Sequence, residues 1–117
     1  MFKFLVQNFI TLLLPSGLKN ILLNCIGHKI HRGAKIGSIF IGRKVKLILD
    51  AESSINSFNY INCNEVLLGK GATIRRFNTF QGHFNVILSK NSGIGNFNRF
   101  VNGGTNIVVA NSVFELG

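Results

Sequence analysis

The stretch LGKGATIRRFNTF (residues 68–80) places an apolar residue at every sixth position, namely Leu68, Ile74 and Phe80. A six-residue period matches neither the 3.6-residue period of an α-helix nor the simple alternation of a β-strand. It is typical of a short strand followed by a corner. Three such sides make about eighteen residues and close a triangular coil, and stacked coils bury one continuous core. This stretch therefore predicts one coil of a parallel β-solenoid.

The same pattern recurs along most of the chain. Its first half occurs five times, at residues 30–36, 49–55, 68–74, 88–94 and 108–114, with starts 19 or 20 residues apart. Each copy carries a small residue two positions before its apolar close: Ala34, Ser53, Ala72, Ser92 and Ser112. The second half occurs at 36–41, 55–61, 74–80 and 94–100, and its last three copies share I-x-x-F-N-x-apolar. We expect the extra residue or two of each coil to lie at a corner.

The paired Phe and Asn of these copies are expected to point in opposite directions. Residues two apart share a face of a strand, so the asparagines point inward with the core residues. Asn59, Asn78 and Asn98 should then stack about 4.8 Å apart, and bonds to one another or to the corner backbone would offset their burial. The residues just before these asparagines point outward and form a stripe of Phe58, Phe77 and Phe97. Because such a stripe is a large apolar surface, we predict that it packs against a neighbouring subunit or the N-terminal helices.

Residues 1–27 form a unit of their own ahead of the solenoid at 28–117. The apolar run MFKFLVQNFITLLL stops at Pro15, and the apolar residues that follow recur at helical spacing up to Gly27. The run has no signal-peptide cleavage site and is shorter than the roughly 20 apolar residues that span a bilayer. We therefore predict two short helices over residues 2–26 that cap the solenoid. Shallow docking of residues 2–14 on a membrane surface is the functional alternative.

The chain is strongly basic, with 13 Lys and Arg against 4 Asp and Glu and a net charge of +9. This balance favours nucleic acid, anionic lipid or a phosphate-bearing cofactor as partner. Basic and aromatic residues alternate in IRRFNTF and NRF, as in single-strand binders, but the coil repeat explains that spacing and no nucleic-acid partner is expected. The two cysteines, Cys25 and Cys63, are interpreted as buried thiols of a reducing compartment. Neither they nor the three histidines have the spacing of a metal site.

The stretches IHRGAKIG, LGKGATI and SKNSGIGNF resemble the hexapeptide repeat of the left-handed parallel β-helix acyltransferases. The lead-in LLLPSGLKNILLNCIGHKIHRGAKIG is similar to that of the sugar O-acetyltransferase branch, which acts in surface-polysaccharide biosynthesis. The resemblance implies a homotrimer with its active sites between subunits, acetyl-CoA or another acyl-CoA as co-substrate, and a sugar or glycan-precursor acceptor. It also implies a cytoplasmic protein, peripheral at the inner face of the membrane if the docking alternative holds. The left hand opposes the usual right-handed crossover and follows from the resemblance alone.

Acyl transfer to a sugar hydroxyl needs a general base, usually His, and a donor for the oxyanion. In the family that the chain resembles, the catalytic His lies in a later coil, in the similar branch shortly after a segment like VFELG. Since this chain ends at Gly117 within that segment, we expect an N-terminal part of a longer enzyme, or a truncated product, that is inactive alone. His83 is the candidate base within the chain, with Glu65 about one coil back, and its alternative is a plain corner residue. His28 and His31 are expected to be structural. A catalytically inactive, structural β-helix is the alternative function.

Overall fold

The computed structural model describes residues 2–102, 107–109 and 113–114. Two helices come first, α1 (Phe2–Leu13) and α2 (Ser16–Cys25). The strands that follow are β1 (Lys29–Ile30), β2 (Lys35–Ile36), β3 (Phe40–Ile41), β4 (Lys46–Leu49), β5 (Ser54–Ile55), β6 (Tyr60–Asn62), β7 (Glu65–Leu68), β8 (Thr73–Ile74), β9 (Thr79–Gly82), β10 (Asn85–Leu88), β11 (Gly93–Ile94), β12 (Arg99–Asn102), β13 (Ile107–Val109) and β14 (Val113–Phe114). The helices lie where the sequence predicts them, on either side of Pro15.

Consecutive strands belong to three different parallel sheets. The first sheet has the order β1-β4-β7-β10-β13, the second β2-β5-β8-β11-β14 and the third β3-β6-β9-β12. Each strand thus pairs with the strand one full turn later, so the chain winds around a common core. The predicted mainly-β solenoid with two N-terminal helices is confirmed. Its left hand stays an expectation from the resemblance.

The strand register reproduces the six-residue alignment. Ile36, Ile55, Ile74 and Ile94 form one inward column, and Ile41, Ile61, Phe80 and Phe100 form another. All but the half-buried Phe100 are fully buried, and Phe80 and Phe100 stack with ring centroids 5.1 Å apart. The small residues Ala34, Ser53, Ala72 and Ser92 are buried as well, where the chain turns toward the second sheet. Ser112 lies outside the described residues.

The fifth copy of the repeat is displaced by one residue from its predicted alignment. Val109, not Val108, pairs with Leu88, so Val109 is buried and Val108 is 64% exposed. Phe114, the last residue of that copy, still pairs with Ile94 as predicted. Because Ile107, Val108 and Val109 are all aliphatic, the hydrophobic pattern could not fix which of them points inward. The start at residue 108 is therefore wrong by one position.

The three asparagines form the predicted buried ladder. Asn78 shows its bonding: the side-chain Nδ2 donates to the carbonyls of Arg75 (3.0 Å) and Gly95 (2.7 Å). The backbone N–H of Asn78 donates to Oδ1 of Asn59 (2.8 Å), and Oδ1 of Asn78 accepts the N–H of Asn98 (2.9 Å). The amides of Asn59 and Asn78 therefore each join two successive corners through their backbone, which satisfies polar groups that no strand pairing reaches.

The phenylalanine stripe is exposed, and its backbone is in an unusual conformation. Phe58, Phe77 and Phe97 have φ values of 67°, 59° and 60°, in the left-handed region that bulky side chains rarely adopt. Their rings stack at 5.3 and 5.0 Å between centroids, and each ring is between 47% and 69% exposed. The N-terminal helices do not cover this stripe. Packing of the stripe against a neighbouring subunit therefore stays a prediction.

The two helices cap the first coil with their polar side chains. In α1, Gln7 donates to the carbonyl of Gly42 (2.9 Å), Asn8 exchanges two bonds with the backbone of Ile41, and the Thr11 hydroxyl donates to Ile39 (2.6 Å). In α2, three polar side chains do the same: Lys19 to Ile36 and Gly37, Asn20 to Ala34, and Asn24 to Ile30. These bonds close the backbone edge that the first coil would otherwise leave open. Burial lowers the pKa of Lys19.

Candidate functional site

A groove forms at the corner between the third and first sheets because neighbouring corners differ in length. The length of this corner is counted from the last inward residue of a strand in the third sheet to the first residue of the next strand in the first sheet. Counted in this way, the corner is one residue longer in the first and third coils than in the second. The short second corner, at Asn62–Asn64, therefore lies recessed between Arg43 and Lys44 on one side and His83 on the other. The resulting corner groove has a volume of about 560 Å³, within the range of small-molecule sites.

One wall of the corner groove is aromatic. Phe40 and Tyr60 are paired residues of β3 and β6 that point outward, and their rings stack in parallel with centroids 4.7 Å apart and an angle of 1°. Phe4 of α1 meets Phe40 edge-on, with a centroid distance of 5.4 Å. A flat aromatic face with polar groups beside it suits a ligand that has both an apolar face and hydroxyl groups.

The rest of the corner groove is polar and basic. Asn62 lies against the backbone of Gly42, where an added Cβ would collide with the Asn62 side chain, and Gln81 lies in register with Asn62 one coil later. Arg43, Lys44 and His83 complete the lining. Their side chains are exposed, so the cations face whatever enters. The amides can bond hydroxyl groups, and the cations suit a phosphate.

The structure separates the histidines by role. His83 lies in the corner groove and is exposed. It belongs to the corner of the third coil, which is one residue longer than the corner of the second. His28 is buried: its Nδ1 accepts the N–H of Leu47 (3.0 Å), so its Nε2 carries the proton and donates to Gln7 (3.0 Å). His31 accepts the N–H of Gly33 within an exposed turn (2.9 Å). His28 is thus structural, whereas His31 and His83 are both exposed, and His83 is the histidine that lies in the corner groove.

Glu65 does not hold His83 in place. It begins β7, where it pairs with Lys46 on one side and Asn85 on the other. Across the described ranges, no hydrogen bond or ion pair joins its carboxylate to the His83 ring. Glu65 does lie about one coil before His83, as predicted, since Glu65 pairs with Asn85 and Asn85 follows His83 by two positions. The orienting contact that a His–carboxylate pair needs is not made.

The two thiols differ, which corrects the expectation that both are buried. Cys63 is buried at the floor of the corner groove, and burial raises the pKa of its thiol to about 12. Such a thiol stays protonated at neutral pH and is a poor nucleophile. Cys25 ends α2 and is exposed, because α2 turns its polar side to the solenoid and leaves this position facing solvent.

A second, larger groove of about 800 Å³ runs along the outer face of the first sheet. Its floor is the aliphatic column Ile48, Leu67 and Ile87, which the strand register aligns. Lys29, His31 and Asp50 also line this groove, but the lining residues that the structure describes include no phenylalanine or tyrosine ring and no pair of side-chain amides in register. We therefore place the candidate site in the corner groove, although it is the smaller of the two.

Sequence reasoning identified His83 but missed the aromatic and amide residues around it. Phe40, Tyr60 and Asn62 occupy outward positions where the residue type does not repeat along the coils, so the periodic pattern does not mark them. The signal that could have found them is the length of each corner compared between successive coils. A single extra residue there decides which side chains project and which are recessed.

Comparison of the chain with protein-family models, with curated proteins and with solved structures finds no match.

Proposed function

We propose that this chain forms the β-solenoid of an acyltransferase that moves an acyl group from a CoA thioester to a sugar hydroxyl in surface-polysaccharide biosynthesis. The corner groove is the observation that carries the proposal. It combines a stacked aromatic wall, the side-chain amides of Asn62 and Gln81 and the two cations Arg43 and Lys44 around the exposed His83. Each of these groups has a part in binding a sugar or glycan precursor and activating its hydroxyl.

In this reaction the sugar packs against the stacked pair of Phe40 and Tyr60 while the amides of Asn62 and Gln81 bond its other hydroxyls. The imidazole of His83 takes the proton of the attacking hydroxyl. The hydroxyl oxygen forms a bond to the thioester carbonyl carbon, and an amide N–H steadies the oxyanion that develops. The C–S bond then breaks, and the imidazolium of His83 returns the proton to the leaving sulfur, so that CoA leaves as the thiol. The cations Arg43 and Lys44 would hold a phosphate of the glycan precursor.

The inactive, structural β-helix is the second candidate, because no carboxylate contacts His83 within the described ranges. One experiment separates the two. The chain is mixed with acetyl-CoA and a panel of sugars and nucleotide sugars, and both thiol release and acceptor binding are measured. We expect Tyr60→Ala to weaken acceptor binding about tenfold, which corresponds to about 1.4 kcal/mol, whereas Tyr60→Phe keeps the ring and the affinity.

The outcomes assign the roles within the corner groove. Thiol release that is lost in His83→Gln, with acceptor binding unchanged, makes His83 the base. Binding that depends on Tyr60 without thiol release keeps the acceptor site and assigns the base to another part of the enzyme. Neither binding nor release would leave the structural β-helix as the function.

We further propose that the enzyme is a homotrimer in which the stripe of Phe58, Phe77 and Phe97 packs against the neighbouring subunit. The three left-handed backbone positions support this assignment. Gly or Asn would adopt them with less strain, and Phe in such a position costs about 1–2 kcal/mol per residue. Keeping an exposed ring at each of them therefore calls for an interaction that the isolated chain does not provide.

Light scattering tests the trimer. We expect the unaltered chain to have the mass of a trimer, and the triple variant with Ser at Phe58, Phe77 and Phe97 to be a folded monomer. Val108→Ser is the matched control, since it removes an equally exposed apolar side chain from the first sheet. A monomeric parent protein whose stability is unchanged by the triple substitution would contradict this role for the stripe.

A further inference from the structure

The N-terminal helices expose large apolar side chains on the side away from the solenoid, although Ile10 and Leu23 are buried on the inner side. The polar side chains of both helices bond the open edge of the first coil, which requires the opposite faces to point outward. Those faces expose six large apolar side chains: Leu5, Phe9, Leu12, Leu13, Leu18 and Ile21. Phe9 is 56% and Ile21 61% exposed. An ordinary surface helix has the reverse arrangement, with its apolar side on the core.

The fold itself does not use these side chains. The open edge needs hydrogen-bond donors and acceptors, and Gln7, Asn8, Thr11, Lys19 and Asn20 supply them. Polar residues on the outer faces would leave that bonding intact and would lower the exposed apolar area. An apolar surface of this size on the end of a solenoid marks an interaction site.

Positive charge surrounds this end of the molecule. The first coil, directly below the helices, exposes Lys29, Arg32, Lys35, Arg43 and Lys44. The first 48 residues include eight Lys and Arg, and the first acidic residue of the chain is Asp50. The acidic residues therefore begin only after the first coil is complete. The end is an apolar surface with a basic rim.

We propose that this end docks on an anionic lipid bilayer, with both helices lying in the interface and the basic rim on the lipid headgroups. Apolar residues that enter the boundary between headgroups and acyl chains and cations that meet anionic lipid are the two terms of interfacial binding. Of the helices that the structure describes, none is long and apolar enough to cross a membrane. A second copy of the chain is a poor occupant, because two such basic rims would face and repel each other.

The docking surface is wider than residues 2–14, the segment that the sequence indicated. It includes Leu18 and Ile21 of α2, whereas Phe4 turns inward against Phe40 and takes no part. With both helices flat on the bilayer, the axis of the solenoid stands upright on the membrane. This inference rests on the surface alone and is independent of acyl transfer.

Co-sedimentation with vesicles tests the proposal. The full chain is mixed with vesicles of phosphatidylcholine and phosphatidylglycerol in equal parts, and separately with vesicles of pure phosphatidylcholine. We expect strong binding to the mixed vesicles, weak binding to the neutral ones and loss of binding at high salt. Phe9→Asp and Ile21→Asp should each lower the partition coefficient on mixed vesicles about tenfold. Val101→Asp is the matched control, because Val101 is 58% exposed but lies in the fourth coil, away from the helices.

A charge-reversal pair tests the basic rim without changing the apolar surface. Lys29→Glu with Lys35→Glu should weaken binding to mixed vesicles about tenfold or more, while Lys70→Glu with Lys90→Glu, the same change in the third and fourth coils, should weaken it much less. Circular dichroism checks that each variant is folded. Binding to mixed vesicles that is unaffected by Phe9→Asp, or equal binding to neutral vesicles, would overturn the proposal. So would a helix-to-helix dimer that Phe9→Asp dissociates while vesicle binding persists.

Discussion

Replacing Ile74 with Asp abolishes the folded state of the solenoid. Ile74 is fully buried in the centre of the second sheet, with Ile55 and Ile94 stacked above and below it. The substitution removes burial worth about 1.5–3 kcal/mol, and the penalty for a buried unpaired carboxylate adds several kcal/mol more. Together these approach the 5–15 kcal/mol that stabilise a typical domain. We expect no cooperative unfolding transition by circular dichroism at neutral pH.

Two controls separate the core position from the change in chemistry. Ile74→Val keeps the position apolar and should cost about 0.5–1.5 kcal/mol, so its unfolding transition persists at a lower urea concentration. Val101→Asp introduces the same carboxylate at an exposed strand position and should leave the transition nearly unchanged. A cooperative transition in Ile74→Asp close to that of the unaltered chain would show that the inward columns are not the core.

Replacing Asn78 with Leu is expected to lower the free energy of unfolding by about 2–4 kcal/mol, although Leu is the more hydrophobic residue. The change leaves the carbonyl of Gly95 and the N–H of Asn98 buried without their bonds to the Asn78 side chain. An unsatisfied buried backbone group costs about 1–3 kcal/mol, and the added apolar contact offsets only part of that loss. Urea unfolding measures the difference.

The matched control is Asn64→Leu, at an exposed corner, which should change the free energy of unfolding by less than about 0.5 kcal/mol. Asn78→Asp tests the donor separately, since it keeps the oxygen for Asn98 and loses the N–H for Gly95. The second carboxylate oxygen would face the buried carbonyls of Arg75 and Gly95, so we expect an effect at least as large as that of Leu. Equal midpoints for Asn78→Leu and Asn64→Leu would contradict a stabilising role for the ladder.

The sequence predicts the coil because the inward positions repeat in register over four turns. The six-residue spacing shows which residues share an inward column. The F-N pairs show which residue of each corner points inward and which points outward. The first coil shows the limit of this reasoning. There the corner is one residue shorter and the apolar Ile39 occupies the ladder position, while Lys19 of α2 donates to the corner carbonyl of Gly37.

The corner groove and the inverted helices could not be predicted in the same way. The groove depends on how far one corner projects beyond the next, which is a relation between coils and not a pattern within one. The helices look like ordinary amphipathic helices in sequence, since Leu18, Ile21 and Cys25 recur on one side. Their orientation is set by the open backbone edge of the first coil, and a backbone edge has no sequence signature. His83 was identified because its residue type alone suggests chemistry.

The amide side chains that cover the first coil also govern how molecules can meet end to end. A bare edge of three parallel strands would offer unpaired N–H and C=O groups to any extended chain, including the last coil of another molecule. Stacking of that kind would continue the coil from one molecule to the next and produce a fibril with the 4.8 Å repeat of cross-β structures. The side chains of Gln7, Asn8 and Thr11 already form hydrogen bonds with groups of this edge. The N-terminal helices thus keep a fold made of repeating, stackable units from polymerising at this end.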